Sequence, residues 1–308
     1  MTLPVILALL PVAILIALGH AIRRSGFLAE GFWPQAERLG YYVLLPALFL
    51  HGLATARIGD IPILALVLVL VASTVVVAAA LVAMRPLLPI DGPGFTSVFQ
   101  GGVRFNNYVG VTIAAGLFGA QGIAIAAVCN AAIVPTVNIL CVLVFARFGT
   151  TRLSLGGLAR QIAANPLVLA CVGGILLQAL GAGLPPGIEP ALRALGQASL
   201  PLGLLCVGAA LDFGTARRWV QPMLAASGAK FLLMPAATVL ASLAFGLGGA
   251  AASVALLFQA LPTASSAYIM ARQLGGDAPL MAGITATQTV LAAFTIPLVL
   301  AAAALLGP

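Results

Sequence analysis

Apolar runs about as long as a membrane is thick recur from Leu3 to Leu306, each closed by a short polar, glycine- or proline-bearing stretch. Roughly 20 helical residues cross the hydrocarbon core of a bilayer. The pattern therefore predicts ten membrane-spanning helices, at Leu3 to Ile22, Gln35 to Ala54, Ile61 to Met84, Phe95 to Phe118, Gly122 to Arg147, Asn165 to Leu180, Leu195 to Leu211, Gln221 to Phe245, Ala251 to Leu274 and Pro279 to Leu306. Two of these runs are interrupted. Span four carries Gln100-Gly101-Gly102-Val103-Arg104-Phe105-Asn106-Asn107-Tyr108-Val109-Gly110, and span nine carries Gln259-Ala260-Leu261-Pro262-Thr263-Ala264-Ser265-Ser266-Ala267-Tyr268. An arginine at mid-span costs about 3 kcal/mol on insertion scales, so it faces water or a partner rather than lipid. The neighbouring Gly and Asn pairs are weak helix formers. Pro262 removes an amide donor and clashes with the preceding turn, which predicts a matching break in span nine.

Composition agrees with the pattern. Of 308 residues, 62% are hydrophobic and 7% charged, with mean hydropathy +1.17. Soluble domains are about one quarter charged, so the class is all-α integral membrane protein in contact with lipid, with no soluble domain expected. Arg23 and Arg24 follow the first apolar run instead of preceding it, which argues for a retained first helix over a cleaved signal. A net charge of +7 would suggest nucleic acid in a soluble protein, but here the cations sit in inter-helix loops and serve topology; no nucleic-acid partner is expected. Loops after odd spans hold Arg23, Arg24, Arg38, Arg85, Arg147, Arg152, Arg160, Arg217, Arg218 and Arg272; loops after even spans hold only Arg57 and Arg193. By the positive-inside rule both termini face away from the cytoplasm. Arg104 and Lys230 are left over within spans four and eight. The cysteines Cys129, Cys141, Cys171 and Cys206 lie in apolar spans without metal-ligand spacing and read as packing residues. No cofactor is implied.

The chain also repeats itself. An offset of 156 carries Ser97-Val98 onto Ser253-Val254, Leu39-Gly40 onto Leu195-Gly196, Gly119 onto Gly275, and Asn106-Asn107 onto Pro262-Thr263; an offset of 155 carries Pro46 onto Pro201 and Pro11 onto Pro166. The reading is two five-helix repeats, 1–155 and 156–308. Because five is odd, the second is inverted in the membrane relative to the first, as in secondary transporters. Spans four and nine become equivalents, two broken helices crossing near the midplane.

A broken helix presents unpaired amides and the positive end of a dipole, an anion site. Arg104 adds a fixed positive charge with a planar fork suited to carboxylate or phosphate. Asn106, Asn107 and Tyr108 add polar groups, and Pro262, Thr263, Ser265 and Ser266 face them from span nine. No Asp or Glu is expected deep in a span: Asp212 and Asp277 fall at ends, and Asp60, Asp91, Glu30, Glu37 and Glu189 in loops. That balance favours an anionic substrate. Lys230 reads as a second anion contact, a proton carrier, or a side chain snorkelling to the surface. Asn130 and Asn138, eight residues apart and about 80° around the helix, share a broad face. Gln288, with Thr285 and Thr289 as helical neighbours, reads equally as site or interhelical glue. His51 reads as a core histidine or a proton relay. An intramembrane hydrolase would need a nucleophile and base held together, which one membrane histidine does not supply, and a receptor would need signalling tails; neither class is favoured, and no enzyme is expected.

These residues resemble the auxin efflux carrier family, including its bacterial carboxylate permeases. The resemblance rests on Phe105-Asn106-Asn107-Tyr108-Val109-Gly110, Asn165-Pro166, Leu200-Pro201-Leu202 with Gly208-Ala209-Ala210-Leu211, Lys230 with Pro235, and Leu261-Pro262. It implies a scaffold of spans one, two, six and seven, a transport domain of the other six, elevator-type motion and a homodimer. The sequence departs from the plant pattern in its short stretch from Phe148 to Ala164 and in Arg104, which stands where an uncharged residue is expected. The first departure favours a minimal prokaryotic-type carrier, placed in a bacterial inner membrane; the second favours a small organic anion, a mono- or dicarboxylate such as malonate or malate, carried by proton symport, by uniport driven by membrane potential, or by exchange. The alternative is a sodium-coupled carrier of larger amphipathic anions, similar to bile acid symporters.

Overall fold

The computed structural model describes residues 3–55, 61–150, 164–211 and 220–303, and these are helical, with no strand among them. In chain order the helices are α1 (Leu3–Arg24), α2 (Phe32–Leu39), α3 (Leu45–Thr55), α4 (Ile63–Ala83), α5 (Gly92–Val103), α6 (Asn107–Phe148), α7 (Pro166–Ala179), α8 (Ile188–Ala209), α9 (Val220–Gly228), α10 (Met234–Phe245), α11 (Gly249–Gln259), α12 (Ser265–Leu274) and α13 (Ala278–Ala303). Single π turns, Gly40–Leu44 and Ala229–Leu233, carry α2 into α3 and α9 into α10. Among the described residues six stretches are long and apolar enough to cross a membrane, and α7 and α11 are shorter apolar helices. Arg57, Asp60, Arg152, Arg160, Asp212, Arg217 and Arg218, with most of the stretch joining spans five and six, lie outside the described residues.

Three expectations shift. Helix α8 begins at Ile188, seven residues before the expected span, because Glu189 and Arg193 pair one turn apart and continue the helix past the apolar run. Glu37, Arg38, Glu189, Arg193 and Arg272 therefore sit in helices rather than loops. Spans four and five are separated by a single residue, Gly119, at φ 57° and ψ −137°, a conformation that glycine adopts without the steric cost of a Cβ.

The chain divides into two compact units. The first comprises Met1–Ile63, Asn107–Ala131 and Gln161–Ala210. In it the backbones of α1 and α8 touch: a Cβ on Gly19 would strike the carbonyl of Leu205, and one on Gly208 the carbonyl of Ile16. Small residues that admit such close approach drive helix association where lipid offers no hydrophobic contrast. Trp33 and Ala36 of α2 pack on Cys206 and Ala209 of α8, and Arg23 Nη1 donates to Ala209 O at 2.6 Å, satisfying a carbonyl left open at the end of α8. Asn165 caps α7, its Oδ1 accepting from the Leu167 and Val168 amides, with Pro166 at the first helical position.

The second unit comprises Leu64–Asn106, Ala132–Arg160 and Leu211–Pro308. Val98 of α5, Met223 and Ala226 of α9, Ala267 and Ala271 of α12, and Leu280, Met281 and Ile284 of α13 form its core. Carboxylates at its edge are spent on helix starts: Asp91 accepts from the Gly94 amide and Asp277 from the Leu280 amide.

Candidate functional site

Helix α5 stops at Val103, and the backbone is extended at Arg104, φ −76° and ψ 160°, before α6 starts at Asn107. Helix α11 stops at Gln259, and α12 starts at Ser265 after a stretch holding Pro262. Both breaks lie where the sequence placed them, and side chains of the second unit tie them together. Phe105 meets Phe258, ring centroids 5.8 Å apart. Arg104 reaches across: Nη2 donates to Ser266 Oγ at 3.3 Å, and Nη1 to Asn138 Oδ1 at 3.0 Å and to Met270 Sδ at 3.5 Å. All three partners are neutral.

Lys230, in the π turn, is fully buried, and its Nζ has no hydrogen-bond partner among the described residues. The buried Cys141 thiol lies beside the Arg104 guanidinium and within electrostatic range of Lys230. Among the described residues no carboxylate comes within ion-pair distance of Arg104 or Lys230. A guanidinium stays charged, and a partly buried one without a counter-charge invites an anion. Helix α12 adds the positive end of its dipole, with no side chain capping its first amides. Gln100, one turn before Arg104, is fully buried, and among the described residues neither end of its amide is bonded and Thr263 Oγ1 is also without a partner.

Gln288 of α13 joins the two breaks directly. Its Oε1 accepts from the Thr263 amide at 3.0 Å, and its Nε2 donates to the Gly101 carbonyl at 2.9 Å. Gln259 closes the end of α11 against α4, its Nε2 lying 3.1 Å from Leu70 O, 2.8 Å from Ser73 Oγ and 2.9 Å from Thr74 Oγ1.

The residues named from the sequence divide between the units. Arg104, Asn106, Lys230, Pro262, Thr263, Ser266 and Gln288 belong to the second, with Asn106 buried; Ser265 opens α12, and its side chain lies outside the described residues. Asn107, Tyr108 and Asn130 belong to the first. There Tyr108 lies against Gly203 with its hydroxyl toward Gly40, and Asn130 Nδ2 donates to Ala126 O in its own helix at 2.9 Å. Sequence reasoning passed over Met270 and Cys141, and grouped Asn138 with Asn130 rather than with Arg104. A buried amide in an apolar run was the available signal for Asn138; Met270 and Cys141 offered none.

Comparison with known proteins bears on the class. The family described as "Membrane transport protein" matches residues 147–300, half of the chain. An "Uncharacterized transporter" of Methanothermobacter thermautotrophicus is 25% identical over 307 residues, covering 94% of this chain and 95% of its own. A "Putative malonate transporter" of Rhizobium meliloti is 26% identical over 254 residues, covering 76% of this chain and 75% of its own. With its apolar helices and the match across its second half, the chain belongs to the auxin efflux carrier family of membrane transport proteins.

Proposed function

We propose that the protein is a secondary transporter of a small organic anion, a mono- or dicarboxylate, and that the anion binds at the Arg104 break. The observation that carries this reading is the guanidinium held, among the described residues, by neutral partners. A guanidinium has five N–H donors. Three go to Asn138, Met270 and Ser266, and the Cys141 thiol lies beside the guanidinium; a carboxylate would take the remaining donor capacity and pair with the charge. Lys230, the α12 amides and Ser266 complete the recognition of the anion in this reading, with Asn106 and Thr263 shaping the approach. The name of the Rhizobium meliloti relative supports malonate as the first substrate to try.

The architecture that goes with this function is two inverted five-helix repeats, 1–155 and 156–308, in a bacterial inner membrane with both termini outside the cytoplasm. Transport is of the elevator type, in a homodimer. The rival reading is a sodium-coupled carrier of larger amphipathic anions, which would bind the cation through carbonyls at the two breaks. The test is uptake by proteoliposomes across a panel of mono- and dicarboxylates under imposed pH, sodium and voltage gradients. Saturable uptake of at least one carboxylate is expected without sodium. Absence of uptake for the whole panel refutes the reading, and strict sodium dependence replaces it with the larger-anion symporter.

A further inference from the structure

Gln288 stands out because each end of its amide satisfies a group that a helix break has orphaned. In an unbroken helix the Gly101 carbonyl would accept from the amide four residues on, and the Thr263 amide would donate to the carbonyl four residues back. The breaks at Arg104 and Pro262 remove both partners, and an unpaired buried backbone group costs about as much as a lost hydrogen bond. One fully buried side chain from the middle of α13 replaces the two. The orientation of its amide is fixed by chemistry: a flipped amide would set oxygen against the Gly101 oxygen and N–H against the Thr263 N–H. Gly101 lets α13 come close, since a Cβ there would lie 2.6 Å from Ile284 Cγ2, one turn before Gln288.

We infer that Gln288 is a positioning residue, holding the two breaks in register so that Arg104 meets Ser266. Arg104 follows Gly101 by three residues and Ser266 follows Thr263 by three, so the brace sets their spacing from one rigid helix. Both ends of its amide are already engaged, so its effect on the anion is indirect; the inference rests on the breaks being the anion site.

The test uses the full-length protein, purified and reconstituted, with Gln288→Met, which keeps the volume and removes both bonds, and Gln288→Glu, which keeps an acceptor for Thr263. Hydrogen exchange is followed on peptides across 259–267, with peptides of α7 as an internal control. In Gln288→Met, exchange at Thr263 is expected to quicken about tenfold or more, and the KM for malonate to rise about tenfold with kcat within about twofold. Gln288→Glu is expected to keep the Thr263 protection. Wild-type exchange in Gln288→Met overturns the assignment, as does a lost yield of folded protein with KM unchanged. Should Gln288→Met fail to fold, Gln288→Leu, which also removes both bonds, is read by the same exchange measurement, and unchanged exchange there overturns the assignment equally. Failure of the wild type to carry any carboxylate refutes the anion reading alone, because the exchange comparison needs no substrate.

Discussion

Replacing Arg104 by alanine removes the guanidinium proposed to pair with a carboxylate, its N–H donors together with its charge. A hydrogen bond involving a charged group contributes about 1.5–3 kcal/mol, so two of them set a lower bound of about 3 kcal/mol. At about 1.4 kcal/mol per factor of ten, the KM for malonate should rise at least about 100-fold. Arg104→Lys keeps the charge but loses the fork and should cost about tenfold, whereas Arg104→Gln keeps donors without charge and should behave like alanine. The assay is initial-rate uptake of labelled malonate into proteoliposomes at matched protein content, with folded protein verified by gel filtration. Arg104→Ala with a KM within about twofold of wild type would refute the reasoning. So would a glutamine variant as active as the lysine variant, because charge would then not be the agent.

Two other substitutions probe different parts of the protein. Lys230→Met removes a buried, unpartnered Nζ; apolar replacement of buried charge is often neutral or stabilising by about 1–4 kcal/mol, so the melting temperature should hold or rise while the KM for malonate increases about tenfold. Gly208→Leu drives α1 and α8 apart where their backbones touch and should destabilise the protein by about 1–3 kcal/mol or more, read as a lower melting temperature in detergent.

The all-helical, apolar character of the chain was legible because the lipid phase makes hydrophobicity nearly the only requirement on exposed helix faces, and a long apolar run satisfies it visibly. Both breaks were legible for the same reason in reverse: Arg104 and Pro262 are residues that an unbroken, lipid-facing helix does not tolerate. What escaped was set by contact rather than by local sequence. The start of α8 was hidden because Glu189 and Arg193 look like a loop until they are seen to pair along one helix face. Gln288 read equally as glue or ligand, since its partners Gly101 and Thr263 lie 187 and 25 positions away. The π turns at Gly40–Leu44 and Ala229–Leu233 carry no composition of their own, because an extra residue in a turn is stabilised by what surrounds it.

That extra residue changes how the α9 to α10 segment must be read. Each residue advances an α-helix by about 100°, so a π turn at Ala229–Leu233 puts the residues before and after it out of phase by about that angle. Removing one residue within the turn would restore an ordinary helix and rotate everything on one side by more than a quarter of a circle. A substitution scan or cysteine-accessibility series laid out on one continuous helical wheel from Val220 to Phe245 would assign half its positions to the wrong face; two wheels, joined at Lys230, describe the segment.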